Sequence, residues 1–551
     1  MNDVHANAVD GERGGSSSAP AVLSQATRTL VAAVFDTPFY LAQCADSRAA
    51  QADPFTHYLE TGWRQGLDPS PTFSTNGYLQ ANADVAAAGI CPLVHYVTIG
   101  IFQGRMPQAA KSAAEARRRA SPAPGTVPPV PLAERLKRSP RAPAVVPMET
   151  ALLERVIAGI EEQEPAGLAM SLSHDDAFTV IGGVQNCVRD EAHVLRQKGW
   201  AYLHLCPVQP LPLLAEATPA EQFFVRLGTD QERLGAASLA ALAAALARRR
   251  FGEARRALIL HHLMGFAPES VAELARAFAP HETVVWLHDF FTLCPNYALL
   301  RNDVAFCNAP APESSACSTC VYGAERGRHL ARLKRLAAEL NPTVLAPSDT
   351  ALAFWRERSL MTYAGARALP HGVLAMGPES QASGAASETP LRVGFVGLPL
   401  YHKGWHVFEQ LVRRHRNDAR YAFFHLGTVA AAEASNIAFV EVVLDRARRD
   451  YMIDAVVTNG IDVVINWSLC YETFSFSAHE AIAGGAFVLA PKQAGNIVPA
   501  ITRAQQGIGL DSEQELFELF ASGKIFEVAK QRRYGEFIRN PATAAYLAPD
   551  R

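Results

Sequence analysis

Lys403 stands where a phosphate group could bind. The segment LRVGFVGLPLYHKGWHVFEQLV predicts a strand that ends at Gly397, a loop that carries the lysine, and a helix that begins after Gly404. A cation at a helix N-terminus suits a phosphate, because the backbone N–H groups there also favour an anion. The sequence leaves one alternative open, a lysine that only decorates a surface loop.

Two glutamates, Glu472 and Glu480, are separated by seven residues in the segment YETFSFSAHEAIAGGAFVLA. In a single α-helix they would lie about 800° apart, close to one face. The flanking residues instead predict that Glu472 lies in a loop at a helix entrance and that Glu480 lies two turns inside the helix. Gly484 and Gly485 end this helix, and AFVLAP is predicted as a buried strand. The spacing alone would equally suit a surface glutamate and one on a helix face.

These segments closely resemble the E-x7-E signature of retaining glycosyltransferases of the GT-B fold, and family 4 in particular. The resemblance covers roughly residues 168–519. It implies that Glu472 holds the donor sugar, that Glu480 holds the nucleotide ribose, and that Lys403 and Gly404 meet the donor diphosphate. The family commonly has an arginine five residues before this lysine, where the chain has Leu398. Half of the expected phosphate clamp is therefore missing from that loop.

The same resemblance implies further donor-binding residues in this half of the chain, which are Thr473, Phe474, Gly397, Gly495 and Asn496. Glu472 would take part in catalysis. Retention of configuration and a hexosyltransferase activity follow from the likeness alone. The sequence has no convincing Asp-x-Asp element, in keeping with catalysis that needs no cofactor.

Two short elements in the first half of the catalytic region could serve the acceptor or a phosphate. Gly182 and Gly183 lie between a predicted strand and an amphipathic helix, where glycines let backbone amides approach a ligand closely. His288 and Asp289 follow the apolar run TVVWL, so we expect them at the carboxyl end of a strand with a catalytic role. A satisfied structural His–Asp pair is the alternative, and the two histidines of RALILHHL compete for the same role.

Four cysteines are clustered between residues 294 and 320, namely Cys294, Cys307, Cys317 and Cys320. Four thiolates could close a tetrahedral zinc site that pins a long loop. Free thiols and disulfides are the alternatives, and the wide spacing of the first two cysteines is unlike that of paired zinc knuckles. Similar loops occur in some related glycosyltransferases, so the cluster resembles a subfamily feature.

An internal repeat with a period of 38 residues precedes the catalytic region. FDTPFYLAQ and FSTNGYLQA begin its two units, and PFTHYLETG and PLVHYVTIG lie at the same offset. Each unit is predicted as short helices closed by glycine. The shared His-Tyr pairs could mark a ligand site, but a repeated packing position is favoured. The units are similar to helical repeats attached to bacterial surface-polysaccharide glycosyltransferases, which implies a module that binds a protein partner.

The predicted organisation has five parts. Residues 1–28 are polar and predicted disordered, 29–108 hold the two repeats, and 109–148 form a linker rich in proline and arginine. Strands and helices alternate after the linker, which is typical of parallel sheets. We therefore expect an α/β fold with two doubly wound, Rossmann-like domains facing a cleft, at 149–385 on the acceptor side and 386–551 on the donor side.

Composition narrows the class of protein. The chain of 551 residues has a net charge of −3, which gives no reason to expect nucleic acid. No apolar run is long enough to span a bilayer, and the N-terminus lacks the apolar core of a secretory signal. A cytoplasmic protein, either free or peripheral to the inner membrane, is the simplest expectation.

The sequence thus predicts a glycosyltransferase of surface polysaccharide biosynthesis. Its donor would be a UDP- or GDP-sugar, and its acceptor a glycan or a lipid-linked molecule. The alternative is a GT-B scaffold or glycan-binding protein that has lost turnover, which Leu398 favours.

Overall fold

The computed structural model describes residues 28, 31–32, 34–44, 53–100, 105, 145–229, 233–378, 380–381, 389–431, 436–443, 449–529 and 531–549. The chain divides into two compact units, residues 1–127 and 128–551. Nearly all of the N-terminus predicted to be disordered, and most of the predicted linker, lie outside the described residues.

The first unit has two sets of short helices with equivalent contacts. The first set comprises Thr37–Leu41, Pro54–Glu60 and the 3-10 helix Gly62–Gln65, and the second comprises Thr75–Ala81, Ala83–Ala87, Pro92–His95 and the π-helical turn Tyr96–Gly100. Tyr40 Oη lies 2.7 Å from His57 Nδ1, and Tyr78 Oη lies 3.1 Å from His95 Nδ1. Both tyrosines are buried, so these positions serve packing.

Gly62 and Gly100 have the same role in the two sets. A Cβ atom at Gly62 would lie 1.9 Å from the hydroxyl oxygen of Tyr40, and one at Gly100 would lie 2.3 Å from that of Tyr78. Because the tyrosine hydroxyl fills the space of a side chain, only glycine fits at either position.

The first domain of the second unit contains an eight-stranded sheet. From one edge its strands are Gly365–Ala368, Thr343–Ala346, Glu282–Trp286, Arg255–Leu260, Gly167–Leu172, Trp200–Pro207, Phe224–Gly228 and Arg233–Ser238. The first six are parallel, whereas the last two pair antiparallel at the edge. The predicted doubly wound sheet is confirmed, and the antiparallel edge is an addition that the alternation of strands and helices did not indicate.

The second domain contains six parallel strands. In spatial order they are Ala438–Glu441, Tyr421–Gly427, Leu391–Val396, Val463–Ile465, Phe487–Pro491 and Gly507–Leu510. In chain order this is 3-2-1-4-5-6, the Rossmann arrangement. Connections leave in opposite directions from the neighbouring strands Leu391–Val396 and Val463–Ile465, and ligands bind open α/β sheets in the crevice at such a point. Lys403 follows the first of these strands and Glu472 follows the second.

Helices cover both faces of each sheet, and apolar side chains fill the layers between them. The helices of the first domain are Thr150–Glu162, Gly183–Gln197, Leu239–Ala247, Pro268–Phe278, Ser315–Ser318, Gly323–Leu340 and Asp349–Arg356. Those that follow are Trp405–Arg414, Tyr451–Thr458, Phe476–Ala483, Ile497–Ala504, Glu513–Ala521, Ile525–Val528 and Ala542–Leu547, with a 3-10 turn at Tyr401–Lys403. Within the described residues, no helix has both the length and the hydrophobicity needed to cross a bilayer.

Three short antiparallel strand pairs complete the fold. After one of them, the C-terminal end of the chain returns to the first domain. The pairs are Leu300–Arg301 with Ala305–Phe306, Gly372–Met376 with Gly535–Arg539, and Ser380–Gln381 with Gln531–Arg532. After the second pair, the helix Ala542–Leu547 packs against the helix Gly183–Gln197, and Thr543 accepts a hydrogen bond from the Trp286 indole. Residues 542–547, at the end of the predicted second domain 386–551, therefore pack in the first domain.

The end of the predicted linker, 109–148, also belongs to the folded domain. The backbone N–H of Met148 donates to the carbonyl of Ala236 at 2.7 Å, on the edge strand Arg233–Ser238. The last residue of the proline-rich segment is thus held by the sheet.

Candidate functional site

A cavity of about 600 Å³ opens between the carboxyl ends of the two sheets. This volume is within the range of small-molecule sites. Residues from both domains line it, and those predicted from the sequence are Gly183, His288, Asp289, Lys403, Glu472, Thr473 and Phe474. The structure therefore brings residues from four predicted segments to one place.

Lys403 and Glu472 form an ion pair in this cavity. Lys403 Nζ donates to Glu472 Oε1 at 2.7 Å, and Ser468 Oγ donates to the same oxygen at 2.7 Å. The lysine side chain is 43% exposed and the glutamate side chain is 14% exposed. The cation is thus open to a ligand while the carboxylate is held from behind.

Burial opposes the charge on both members of this pair, but their mutual attraction outweighs it. The carboxylate of Glu472 raises the pKa of Lys403 although burial favours the neutral amine. Burial likewise disfavours the charged form of Glu472, yet the Lys403 ammonium and the hydrogen bonds from Lys403 and Ser468 lower its pKa. Both groups are therefore charged at neutral pH.

The backbone of Glu472 is fixed by the loop that contains Gly495 and Asn496. Asn496 N donates to Glu472 O at 2.8 Å, and Gly495 pairs with Glu472 as a parallel β-bridge. Gly495 has a φ of 65°, and a Cβ atom there would lie 2.4 Å from Glu472 O. These two residues position the backbone of Glu472 and do not line the cavity, and their predicted contact with the donor stays a prediction.

Gly397 and Gly404 shape the loop of Lys403 and also lie outside the cavity lining. Gly404 has a φ of 83°, and a Cβ atom there would lie 2.0 Å from Trp467 O. His425 Nε2 lies 2.8 Å from Gly397 O, so this buried histidine supports the loop. The helix Trp405–Arg414 begins directly after Gly404, as predicted.

Glu480 lies apart from this arrangement. It is in the second turn of the helix Phe476–Ala483, one turn from the N-terminus and not two as predicted. Burial raises its pKa to about 7, against the opposing effect of the Arg539 and Arg449 guanidinium groups. It does not line the cavity, and its predicted contact with a ribose stays a prediction.

The N-terminus of the helix Gly183–Gln197 faces the same cavity as that of Phe476–Ala483. Gly183 and Ser477 both line it, and a Cβ atom at Gly183 would lie 3.6 Å from the Phe476 ring. Two helix N-termini and the Lys403 ammonium therefore present positive potential to one space. Lys403 is the only lysine or arginine among the described lining residues, and Leu398 is 48% exposed.

Two cross-strand pairs of side chains form the other wall. His261 Nδ1 lies 2.9 Å from His288 Nε2, and His262 Nε2 lies 2.9 Å from Asp289 Oδ2. The neighbouring parallel strands Arg255–Leu260 and Glu282–Trp286 end one and two residues before these pairs, so each histidine of the HH pair meets its counterpart in the HD pair. The histidines of RALILHHL, predicted as competitors for the role of His288 and Asp289, are thus their partners.

Glu191 extends the first of these pairs into the core. Its Oε1 lies 3.3 Å from His261 Nε2 and accepts a hydrogen bond from Tyr202 Oη at 2.6 Å. The carboxylate only accepts, so His261 carries its proton on Nε2 and offers a lone pair at Nδ1. His288 must then donate from Nε2, which leaves His288 Nδ1 as a hydrogen-bond acceptor.

Burial keeps three histidines of the cavity neutral. It lowers the pKa of His288 well below the usual range, and it lowers those of His174 and His371 to about 3. Burial raises the pKa of Asp289, but the neighbouring His262 and the Phe291 N–H outweigh it, so the net shift is downward. The site therefore combines neutral imidazoles with ionised carboxylates.

The four cysteines of the predicted zinc site line one small cavity together with Arg326. Arg326 Nη1 donates to Cys317 Sγ at 2.8 Å. Among the described residues, however, the only group of three or more His, Cys, Asp or Glu side chains with ligand atoms within 4.8 Å of one another is Cys187, His288 and His371. Zinc at the four cysteines stays a prediction.

Sequence reasoning missed several residues of this site, including Ser468, Glu191, His174 and His371. Ser468 lies four residues before Glu472, and His174 follows the first predicted strand. Their positions in sequence could therefore have identified both as candidates for the site. His371 and Glu191 gave no comparable signal, because they reach the site from a connecting segment and from a helix interior.

No protein-family model matches the chain, and no curated protein matches it. Similar solved structures include the catalytic domain of starch synthase IV from Arabidopsis thaliana bound to ADP and acarbose, at 11% identity over 66% of this chain and 92% of that chain, with a TM-score of 0.38. A glycosyltransferase from Rickettsia africae ESF-5 is 11% identical over 69% and 92%, with a TM-score of 0.40. WaaG, a glycosyltransferase involved in lipopolysaccharide biosynthesis, is 14% identical over 70% and 95%, with a TM-score of 0.38. Because these sequence identities and TM-scores are low, the fold is assigned from the strand order of the two sheets and not from the similar structures.

Proposed function

We propose that this protein is a glycosyltransferase that moves a sugar from a nucleotide-sugar donor to an acceptor bound in the same cleft. The Lys403–Glu472 ion pair carries the proposal. It joins a cation suited to a diphosphate and a carboxylate suited to sugar hydroxyls, at the crevice of a Rossmann sheet. When the donor binds, Lys403 exchanges its contact with Glu472 for a phosphate oxygen, and Glu472 exchanges its contact with Lys403 for a sugar hydroxyl.

On the donor side, the diphosphate lies against Lys403 and the helix N-termini, and the sugar lies against Glu472 and the backbone that follows it. Glu480 holds the ribose. The bond between the anomeric carbon and the phosphate oxygen breaks as the bond to the acceptor oxygen forms, with retention, and the proton of the acceptor hydroxyl passes to an oxygen of the leaving diphosphate. The leaving diphosphate keeps the electron pair of the broken bond, and Lys403 stabilises its negative charge, so that catalysis rests on electrostatics and positioning.

On the acceptor side, His288 Nδ1 accepts a hydrogen bond from a sugar hydroxyl near the reacting carbon. Its neutral state and its tautomer support this role, because an imidazolium could not accept. The acceptor is a glycan or a lipid-linked molecule of surface polysaccharide biosynthesis, and the repeats bind a protein partner. The protein is cytoplasmic, either free or peripheral to the inner membrane.

The exposed Leu398 favours a second candidate, a scaffold or glycan-binding protein without turnover. A phosphate clamp with one cation gives a weaker stabilisation of the leaving group than one with two. The two candidates differ in one measurable respect, which is whether bound donor is consumed.

A donor screen tests the proposal. UDP- and GDP-sugars are incubated with the full chain, and release of the nucleoside diphosphate is measured. Glu472→Ala removes the carboxylate, and Lys492→Met is the matched control, because Lys492 pairs with Asp511 on the surface of the same domain. Release by the wild type and the control, but not by Glu472→Ala, supports the enzyme. Equal release from Glu472→Ala contradicts it, and donor binding without release supports the scaffold.

A further inference from the structure

We propose that Cys187, His288 and His371 form a binding site for a single zinc ion on the floor of the cleft. One ring nitrogen of each histidine and the sulfur of Cys187 lie within 4.8 Å of one another. Tetrahedral zinc places such ligand atoms about 3.3 to 3.6 Å apart, so a contraction of roughly 1 Å completes the site.

The three ligands come from three separate elements. Cys187 lies in the first turns of the helix Gly183–Gln197, His288 follows the strand Glu282–Trp286, and His371 immediately precedes the strand Gly372–Met376. An ion bound there would link the helix of Cys187, the sheet strand before His288 and the segment of His371, which connects the two domains. Such convergence from distant parts of the chain is typical of metal sites and is not a local sequence pattern.

His288 has the hydrogen-bonded support that a metal-ligating histidine needs. Its Nε2 donates to His261, which in turn is held by Glu191, so Nδ1 keeps its lone pair for an ion. Metal-bound histidines almost always donate their other N–H in this way.

A buried carboxylate oxygen without a partner supports a positive charge nearby. Glu191 Oε2 has no hydrogen-bond partner and almost no solvent contact. One zinc ion and one thiolate carry a net charge of +1, which the Glu191 carboxylate balances. Zinc binding forms the Zn–S bond while the proton of the Cys187 thiol leaves to solvent.

Three protein ligands leave a fourth position open, as in zinc sites that keep a water or a ligand. His288 and His371 both line the large cavity, so this position faces the cleft. Two nitrogens and one sulfur suit Zn²⁺ or Co²⁺ and are unlike the all-oxygen sites of Mg²⁺. Zinc at this site binds His288 Nδ1, the same nitrogen that accepts a hydrogen bond from a sugar hydroxyl in the proposed function. A bound zinc ion therefore prevents His288 from contacting the substrate.

Metal binding is measured directly, without turnover, so failure of this inference and failure of the proposed function are distinguishable. The metal-free full chain is titrated with Co²⁺, whose bond to a thiolate gives a charge-transfer absorption. Cys187→Ser removes the sulfur ligand, and Cys206→Ser is the matched control, because Cys206 is buried in the same domain outside the cluster. Cys317→Ser separates any signal from the four-cysteine cavity.

We expect the control and Cys317→Ser to keep a component that Cys187→Ser loses, with Co²⁺ affinity at that component falling at least 100-fold. Equal titrations of Cys187→Ser and the control overturn the site. If Cys187→Ser fails to fold, X-ray absorption of Cys317→Ser loaded with one equivalent of Zn²⁺ decides. A shell with one sulfur and two histidine nitrogens supports the site, whereas a shell without that set of ligands contradicts it.

Discussion

Thr473 Oγ1 donates a hydrogen bond of 2.6 Å to the backbone carbonyl of His288, across the cleft between the two domains. Thr473, the neighbour of Glu472 in the second domain, thus fixes the backbone of His288 in the first domain. Ser348 Oγ donates to Thr473 O at 2.8 Å, so the same residue is bonded to the first domain twice.

Thr473→Val should loosen this contact. The carbonyl of His288 loses its partner, which costs about 1 to 3 kcal/mol where the group stays dry. We expect a lower midpoint of thermal unfolding and weaker donor binding. Thr218→Val is the control, since Thr218 is exposed and its hydroxyl bonds only within its own loop. Unchanged melting and donor affinity in Thr473→Val would show that the bond does not couple the domains.

Lys403→Met should abolish most of the donor turnover. The variant removes the only described lysine or arginine that lines the cavity and leaves Glu472 without its counter-ion. Loss of an electrostatic contact to a leaving group costs roughly 100- to 1,000-fold in rate. Release of nucleoside diphosphate is compared between Lys403→Met and Lys492→Met, and similar rates for the two would remove Lys403 from the mechanism.

Glu191→Gln should invert the hydrogen-bond chain to His288. A glutamine amide can donate to His261 Nε2, after which His261 donates to His288 and the cleft-facing nitrogen of His288 becomes a donor. We expect kcat to fall on the order of 10- to 100-fold, as for loss of a group that orients a functional histidine through its other ring nitrogen. Glu191→Asp keeps the carboxylate and should recover part of the rate. Equal losses in both variants would instead indicate general damage to the core.

Gly495→Ala should displace the carboxylate of Glu472. The added Cβ meets Glu472 O at 2.4 Å and the residue keeps a φ of 65°, so the loop must move. Gly252→Ala is the matched control, with a φ of 51° and nothing within 4 Å of the added atom. Both variants carry the strain of a left-handed residue, about 1 kcal/mol, but only Gly495→Ala should lower donor affinity. Donor titration by calorimetry separates them.

Glu480 should make stability depend on pH. Its folded pKa of about 7 exceeds the usual value of 4.5, so the folded state binds the proton more tightly than the unfolded chain. This contribution is fully favourable below pH 4.5, and stability is lost progressively as the pH rises to about 7.

The substitution Glu480→Gln removes this titration, because an amide side chain cannot ionise. The difference in melting midpoint, variant minus wild type, should therefore rise between pH 5 and pH 8, as followed by circular dichroism. A flat difference over that interval would place the titration of Glu480 at its ordinary value.

The strand–loop–helix of Lys403 and the buried strand after Gly485 were predictable, because runs of apolar residues punctuated by glycine are local signals. The alternation of strands and helices likewise predicted two doubly wound domains. The loop that carries Glu472 was also correctly placed before its helix.

Tertiary structure alone decided which of these side chains meet. Lys403 and Glu472 are 69 positions apart in sequence, and they pair because two strands that are distant in the chain are neighbours at the point where the Rossmann sheet changes direction. Glu480 belongs to the same E-x7-E pattern as Glu472 but does not line the cavity, since it lies one turn inside the helix Phe476–Ala483. The partners of His288 follow the same rule, because hydrogen bonds between strand ends depend on which strands are adjacent, and adjacency is a property of the folded sheet.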